Sequence, residues 1–376
     1  MEPDVKLHME RALQLATKGW GKTHPNPMVG AVILDQGLVR GEGYHLQAGD
    51  PHAEINALKQ LDGNLSTEAT LFVTLEPCST HGRTPPCIAA IIQSGIKRVV
   101  VGAIDPNPQH AGRGLDRLRK AGVAVTEGIL SKECEDLNIL YNYWIKCRSP
   151  LIAGKVATTI DGKLATRKGD SKWITGPQAR MDVMRWRRLF PAIAVGANTV
   201  ISDNPNLTSR MENGKKWCPV RIILDPQLRT VNRKLAKVYD DEDRERTVIV
   251  VSKNSDIEEK RKLLDPGIAL WKVATNDEGI EWGAFRQKCV EEGLIGVLFE
   301  GGAKTISSLI SSRELGYLFS YRAPKLLADP EALSAFAGHN PEMINDAITL
   351  RQVHHATLGD DELMRGYIEY PNKDNS

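Results

Sequence analysis

The sequence predicts an α/β protein of two domains, and three observations carry that prediction. Apolar runs of strand length alternate with stretches of helical apolar spacing through both halves of the chain. A break at Ser149-Pro150 divides these into two complete series, and the pattern restarts at Leu151. With 376 residues and 41% hydrophobic content, the chain exceeds the usual size of one domain and can fill two cores. The boundary falls at residue 147, giving domains 1–147 and 148–370, with a polar tail, 371–376, expected to be disordered.

Residues 4–19 place Val5, Met9, Ala12, Leu13 and Ala16 on one helical face, and Gly19 stops the helix. Two prolines in Thr23-His24-Pro25-Asn26-Pro27-Met28 exclude a regular element, so a loop feeds a strand from Val29 to Leu34. Asp35-Gln36-Gly37 turns the chain into a returning strand, Leu38 to Gly43. The loop Tyr44 to Asp50 carries His45 and leads into a helix expected from His52 to Leu61. Leu71 to Leu75 reads as a short buried strand, Cys87 to Gln93 as the start of a helix, and Val99 to Gly102 as the next strand. Two further helix–strand alternations are expected up to residue 130, then one helix from Glu133 to Lys146.

The second half opens with a strand, Leu151 to Thr158, and a turn at Asp161-Gly162. Further strands are expected near 192–196, 219–225, 246–252, 268–273 and 294–299, with helices near 177–189 and 303–313. Asp240 to Arg246 is a charged turn with no functional reading. No internal repeat or low-complexity segment is evident. No Gly-x-Gly-x-x-Gly follows a strand, so an ordinary Rossmann fingerprint is absent.

Bulk properties exclude several classes. A net charge of +2, from 49 basic and 47 acidic residues, gives no general pull toward nucleic acid or membranes. Six cysteines are too few and too scattered for a small disulfide framework. Residues 1–22 lack a signal-peptide core, and no run approaches a membrane span. The chain therefore reads as a soluble, cytoplasmic protein.

Chemistry concentrates between Pro51 and Cys87. His52, Cys78 and Cys87 supply one imidazole and two thiols, three ligands suited to Zn²⁺ with a fourth position left for water. Glu54 is not needed to hold zinc, but it is needed if that water must lose a proton and pass it to a leaving group. His-x-Glu followed by Pro-Cys and a second Cys is the signature of zinc nucleobase deaminases. One spacing departs from it: eight residues separate Cys78 from Cys87, where the general signature has two. Gly82 and Pro85-Pro86 are residue types that let a longer loop fold back.

In the second half, the apolar run Gly296 to Phe299 leads through Glu300-Gly301-Gly302 into Ala303-Lys304-Thr305. A strand, two glycines and a helix N-terminus suit an anion such as a dinucleotide or sugar phosphate, and are equally a plain tight connection. Two polar loops accompany it. Ser171-Lys172-Trp173-Ile174-Thr175 sets an aromatic among hydrogen-bonding groups, and Asp203 to Arg210 offers a carboxylate and a guanidinium seven residues apart.

Several segments together closely resemble the bifunctional riboflavin-biosynthesis deaminase–reductase family. In the first half they are Asn26 to Val32, Gly49 to Glu54, Thr74 to Cys78 and Gly82 to Cys87. In the second they are Lys155 to Gly162, Ser171 to Thr175, Asp203-Asn204-Pro205 and Ala323 to Leu327. The resemblance implies a cytidine-deaminase-like three-layer α/β/α domain followed by a dihydrofolate-reductase-like α/β domain. It implies two consecutive reactions, a zinc-dependent deamination of 2,5-diamino-6-ribosylamino-4(3H)-pyrimidinone 5′-phosphate and an NADPH-dependent reduction of the resulting 5-amino-6-(5-phosphoribosylamino)uracil. By motif, His52, Cys78 and Cys87 bind Zn²⁺, Glu54 is the proton shuttle, and Asn26, His45 and Arg83 line the pyrimidine and phosphate pocket. In the reductase, Ala157, Trp173, Thr199, Asp203, Gly302, Ala303, Lys304, Thr305, Ile306, Ser307 and Ser308 fall where the family contacts NADPH. Ser171, Arg187, Leu207, Arg210 and Glu300 fall where it contacts substrate, with two arginines for the phosphate. The partners implied are small phosphorylated pyrimidines, without nucleic acid or membrane, in a homo-oligomer (dimer or tetramer).

Two departures from the family pattern stand out. Thr80 occupies a position often held by a second histidine, and Glu314-Leu315-Gly316-Tyr317 replaces a more usual Val-Asp-Glu-Leu. Three other readings compete. A nucleic-acid deaminase would show Cys-x-x-Cys spacing and a basic face, neither of which is present. A structural zinc module would close with a fourth protein ligand, for which His81 is the candidate. A zinc deaminase with an inactive C-terminal domain that only binds nucleotide is the third.

Overall fold

The computed structural model describes residues 5–79, 86–210, 214, 216–232, 236–277 and 279–371, and these divide into two compact units, Met1–Arg148 and Ser149–Ser376. The polar tail beyond Pro371 lies outside the described residues.

In the first unit, helix α1 (Val5–Ala16) buries Met9, Ala12, Leu15 and Ala16 against the sheet, as its apolar spacing requires. Strands β1 (Gly30–Asp35) and β2 (Leu38–Tyr44) form an antiparallel hairpin, followed by helix α2 (Ala53–Leu58) and strand β3 (Thr70–Leu75). Helix α3 (Cys87–Gln93), strand β4 (Arg98–Ala103), helix α4 (Arg113–Lys120) and strand β5 (Ala124–Glu127) complete the sheet, whose order is β2-β1-β3-β4-β5. β3, β4 and β5 run parallel, so their carboxyl ends share one edge. The fully buried patterns of β1 and β3 follow from helices packing on both faces of the sheet.

Three expectations need correction here. After β4 there is one helix–strand alternation, not two, because the sheet ends at β5 and the chain turns into helices. α2 stops at Leu58 rather than Leu61, where the Gln60 side chain leaves to bond the Glu42 backbone at 3.1 and 2.6 Å. The single helix expected over 133–146 is two, α5 (Ser131–Leu137) and α6 (Ile139–Cys147), broken at Asn138. The break has a tertiary cause. Asn138 Oδ1 accepts from the Met28 backbone N–H at 2.7 Å, and its Nδ2 donates to the Met28 carbonyl at 2.9 Å. One side chain thus satisfies a buried loop residue 110 positions away, at the expense of helix continuity.

The second unit is a nine-stranded mixed sheet. Its parallel strands are β6 (Leu151–Thr158), β7 (Ala192–Gly196), β8 (Val220–Leu224), β9 (Thr247–Ser252), β10 (Ala269–Val273), β11 (Gly296–Phe299) and β12 (Tyr317–Arg322). β13 (Thr349–Leu358) and β14 (Asp361–Glu369) add antiparallel, and the order is β10-β9-β8-β7-β11-β6-β12-β14-β13. Helices α7 (Pro177–Leu189), α8 (Ala197–Asp203), α9 (Trp282–Glu291) and α10 (Ala303–Ser311) join the strands. Trp282, Phe285 and Phe299 pack edge to face in the core. Arg221 is buried in β8. Its guanidinium donates twice to Asp241 (2.6 and 2.8 Å) and also to Thr247 Oγ1 and the Val238 and Asn206 carbonyls, so the charged turn at 240–246 anchors the sheet.

Asn138→Ala leaves two buried Met28 backbone groups without their partner. It is expected to lower stability by about 2–4 kcal/mol. The denaturant midpoint of the full chain, together with hydrogen exchange at Met28, measures this; an unchanged midpoint would show that the Asn138 bridge contributes nothing.

Candidate active sites

The first site depends on how closely α2 lies on β2. A Cβ at Gly41 would stand 2.3 Å from the Ala57 carbonyl oxygen, and one at Gly43 would stand 2.1 Å from that of Ala53. Glycine alone permits this approach. The Asn56 side chain then ties the first turn of α2 to the Tyr44 and Pro51 carbonyls, at 2.9 and 3.2 Å. His52 precedes α2 in extended conformation, and Glu54 falls in its first turn.

β3 delivers Cys78 through a short loop, and Cys87 is the first residue of α3. The donor atoms of His52, Cys78 and Cys87 lie within 4.8 Å of one another. His52 Nδ1 is 3.6 Å from Cys78 Sγ and 3.3 Å from Cys87 Sγ. A tetrahedral zinc with bonds of about 2.0 Å to nitrogen and 2.3 Å to sulfur has an N···S edge of about 3.5 Å, so the donor set fits that ion. The Cys87 backbone N–H also donates to Cys78 Sγ at 3.2 Å, which suits a thiolate. Hydrogen bonding from Cys87 brings the Cys78 thiol down to about 4, while the same bond, with burial, drives Cys87 upward. His81, the candidate fourth ligand, and Thr80 and Arg83 lie outside the described residues. Among the described residues the donor set is three.

Glu54 is 3% exposed, and burial followed by the charge of Cys78 pushes its carboxyl up to about 7. His45 is also buried. Its Nδ1 faces the Pro51 carbonyl at 3.3 Å, its Nε2 faces Asn26 Nδ2 at 3.2 Å, and its ring meets that of His52 edge-on at 5.4 Å. The structure thus brings Asn26, His45, His52, Glu54, Cys78 and Cys87 into one cluster.

The sequence reading missed how the metal loop is held. The buried carboxylate of Glu76, two residues before Cys78, accepts from the backbone N–H groups of Asp105, Gly112 and Gly114 at 3.3, 2.8 and 3.0 Å. Ser79, next to Cys78, is bonded to His110 at 3.2 Å and to Arg117 at 2.6 Å. Glu76 was visible in the motif, but nothing local showed that it collects amides from the β4–α4 loop.

In the second unit, the carboxyl ends of adjacent strands β7, β11 and β6 gather residues distant in sequence. Thr199 follows β7, Glu300 and Gly302 follow β11, and Ala157 lies near the end of β6. Gly302 caps α10 with open space where a side chain would stand, while a Cβ at Gly301 would meet Thr305 at 2.8 Å. Ala303 and Ser307 are half-buried and Lys304 is exposed, but Ile306 lies fully inside the core and Ser308 Oγ accepts from the Trp282 indole at 3.0 Å. Ile306 therefore has no side-chain access to a ligand, contrary to expectation. Leu207 is likewise buried and cannot meet substrate through its side chain. Trp173 is exposed, stacked beneath the Arg180 guanidinium at 4.7 Å; Ser171, Asp203 and Arg210 are exposed as well.

Arg187 and Glu300, both expected to meet substrate, meet each other. Arg187 Nε and Nη2 donate to the two Glu300 oxygens at 2.5 and 2.8 Å, and Nη1 donates to the Thr208 carbonyl at 2.9 Å. Lys155 Nζ stands 3.8 Å from Glu300. Burial alone would raise the Glu300 carboxyl, but Arg187 and then Lys155 overcome it and hold it at about 2. Burial draws Lys155 downward. Lys155 was visible only as part of a motif; its pairing spans 145 residues and had no local signal.

Cys87→Ser is expected to weaken zinc binding more than tenfold, because a hydroxyl replaces a thiolate. Chelator competition measures it, and unchanged affinity would mean that another residue is the third ligand. Glu300 predicts an acid effect. Its carboxyl is lower folded than unfolded, so its stabilisation is complete above the ordinary carboxylate range and is lost as pH falls toward about 2. Glu300→Gln, which leaves two half-buried cations without their carboxylate, should cost about 2–4 kcal/mol at neutral pH and remove that acid dependence. Acid titration of both proteins by circular dichroism checks it; parallel curves would reject the role.

Two family models match the chain in tandem. Residues 2–103 match the cytidine and deoxycytidylate deaminase zinc-binding region, and residues 150–364 match the RibD C-terminal domain. The riboflavin biosynthesis protein RibD of Actinobacillus pleuropneumoniae is 39% identical over 358 residues, covering 95% of this chain and 93% of the relative. Its counterpart in Aquifex aeolicus is 40% identical over 356 residues, covering 95% and 96%. A solved diaminohydroxyphosphoribosylaminopyrimidine deaminase/5-amino-6-(5-phosphoribosylamino)uracil reductase from Thermotoga maritima superposes with a TM-score of 0.78 at 33% identity, covering 98% of this chain and 99% of its own. Acinetobacter baumannii RibD gives 0.77 at 32%, covering 97% and 99%. These likenesses bear out the expected fold class, a deaminase-like unit followed by a reductase unit of the dihydrofolate-reductase type. Because each relative is matched across both units and nearly from end to end, the chain belongs to the RibD family, the bifunctional deaminase–reductases of riboflavin biosynthesis.

Proposed function

We propose that the first unit removes the 2-amino group of 2,5-diamino-6-ribosylamino-4(3H)-pyrimidinone 5′-phosphate, and that the second reduces the ribosyl group of the resulting aminouracil phosphate to a ribityl chain. The observation that carries the reading is a buried carboxylate, Glu54, two residues from one member of a zinc-fitting donor trio. Zinc and NADPH are the cofactors of the two matched regions. His52, Cys78 and Cys87 would hold the zinc, which supplies Lewis acidity toward water. The α10 N-terminus and its glycines would hold NADPH, which supplies the hydride.

The chain's own groups do the rest. In hydrolysis, water adds to C2 of the pyrimidine, the bond from C2 to the exocyclic nitrogen breaks, and ammonia leaves. Glu54 takes a proton from the water and returns it to that departing nitrogen. His45, fixed by the Pro51 carbonyl and facing Asn26, presents a polar edge to the base. Arg83 completes the substrate contacts in this proposal. In the second unit the assigned substrate contacts are Ser171, Arg187, Leu207, Arg210 and Glu300. Exposed Arg210 supports phosphate recognition there, and the Arg187–Glu300 pair with Lys155 supplies a fixed polar wall. Leu207, buried, can contribute only backbone. A second unit that only binds nucleotide is not favoured, since both units match catalytic relatives over their length.

We read the protein as a cytoplasmic homo-oligomer with domains 1–147 and 148–370. Among the described residues no helix is long and apolar enough to cross a membrane. The direct test is incubation with the diaminopyrimidinone phosphate, with and without NADPH, and identification of the products. Glu54→Gln, nearly isosteric, should reduce ammonia release by about 10²–10⁴-fold while zinc content stays near one per chain. NADPH oxidation with the aminouracil phosphate supplied directly should persist. Ammonia release near the wild-type rate would remove Glu54 from the chemistry.

A further inference from the structure

Two loops at the carboxyl edge of the first unit's sheet are tied to each other by side chains. One follows β3 and carries Cys78 and Ser79; the other, residues 104–112, joins β4 to α4. Glu76 holds the second loop through the backbone N–H groups of Asp105, Gly112 and Gly114. A further hydrogen bond crosses between the loops, with His110 Nδ1 and Ser79 Oγ 3.2 Å apart. Ser79 is itself buried, and the Arg117 side chain donates to its carbonyl at 2.6 Å. The His110 backbone is fixed as well. Its N–H donates to the Asn107 carbonyl at 2.8 Å, and its carbonyl accepts from the Arg113 N–H at 2.7 Å. A half-buried imidazole is thus set against the residue that follows a zinc-fitting donor.

The bond to Ser79 occupies Nδ1 and leaves Nε2 without a partner among the described residues. Asp105 does not take it. Tyr141 donates its hydroxyl to both Asp105 oxygens, at 3.0 and 3.3 Å, and the Asn107 N–H donates to Oδ1 at 2.9 Å. Burial pushes the Asp105 carboxyl up against the pull of Asn107, Tyr141 and the His110 charge, so the imidazole stands near this carboxylate without bonding it. Position then decides what Nε2 can meet. Asn26, ahead of β1, and His45, after β2, stand on one side of the zinc-fitting trio. β3 lies between, and His110, after β4, stands on the other side. A pyrimidine read by Asn26 and His45 leaves its ribosylamine chain the β4 side. That side is cationic. Arg113 and Arg117 are exposed on α4, and Asp116, the one carboxylate between them in sequence, is paired with Arg119 at 3.3 Å. An imidazole N–H on a fixed loop, beside two guanidinium groups, suits a phosphate.

We propose that His110 contacts the 5′-phosphate of the deamination substrate through Nε2, while Ser79 holds its other ring nitrogen. The assignment rests on reading the first unit as the deaminase of a ribosylamine phosphate, and it adds a contact from a loop that carries no zinc donor.

Two substitutions separate the ring nitrogens. An asparagine amide reaches only as far as Nδ1, so His110→Asn keeps the Ser79 bond and loses the distal contact. A glutamine amide reaches the Nε2 position, so His110→Gln does the reverse. Full-length, zinc-loaded wild type and both variants are assayed for ammonia release from the ribosylamine 5′-phosphate and from its dephosphorylated counterpart. His110→Asn should raise KM for the phosphate by about 10–100-fold, the range of a charge-assisted contact, with zinc content and kcat near wild type. KM for the dephosphorylated compound should move by less than about threefold, and His110→Gln should recover part of the loss. Equal losses on both compounds, or an unchanged KM for the phosphate in His110→Asn, would overturn the assignment, the former by showing that His110 only holds the metal loop. A second readout is independent of turnover. The ring NMR signals of His110, identified by their absence in His110→Asn, should shift when ribose 5-phosphate is added at fixed pH and stay in place with ribose. That shift supports the assignment even if neither compound is deaminated, which would count against the deaminase reading alone; signals unmoved by ribose 5-phosphate would overturn it.

Discussion

Two sulfurs, an imidazole and a buried carboxylate crowd together in the first unit, and a cation among the three donors would offset the cost of that crowding. Without one, the bond between the two sulfurs draws the Cys78 thiol down and drives Cys87 up, and the Glu54 carboxyl is forced upward by burial and by Cys78. Two thiolates would neutralise a doubly charged ion held by the trio, leaving Glu54 free to exchange a proton beside it. Much of the surrounding structure keeps these groups close. The glycines of β2 admit α2, Asn56 anchors its first turn, and Glu76 binds the loop ahead of Cys78 to three backbone amides. Asn138 fixes the Met28 loop that leads into β1.

The second unit solves the opposite problem. Lys155 and Arg187 place two half-buried cations around one carboxylate, Glu300, at the end of a parallel strand. The cluster keeps a net positive charge in a position screened from salt, which favours anionic ligands at the sheet edge. Stability alone does not account for such a cluster, because a buried ionic group is often replaceable by apolar packing. Its location accounts for it better: Glu300 joins β11 to the glycines that open α10, so the pair fixes the backbone at that junction.

What could be read from the sequence follows from how local each signal is. The zinc donors and Glu54 were legible because ligand type, order and spacing lie within one stretch of 36 residues, His52 to Cys87. The parallel strands of both units were legible because burial on both faces makes them continuous apolar runs. β12 was known only through the motif just after it. The hairpin β13–β14 was missed because one exposed face mixes charged and polar residues into its pattern. The break at Asn138 could not be read from residues 133–146, since its cause is Met28. The Arg187–Glu300 pair spans 113 positions, so each residue looked like a separate ligand contact. Ile306 looked like part of a binding segment because helix position, not composition, decides which side of α10 faces the core.

Sheet order then converts scattered sequence into an ordered surface. Along the carboxyl edge the strands run β8, β7, β11, β6, while their sequence order is β6, β7, β8, β11. The swap brings the glycine pair after β11 between the ends of β7 and β6. Charge lies on one side of that pair, with Lys155 on β6. A ligand lying across this edge meets a different chemistry at each strand spacing of about 4.8 Å.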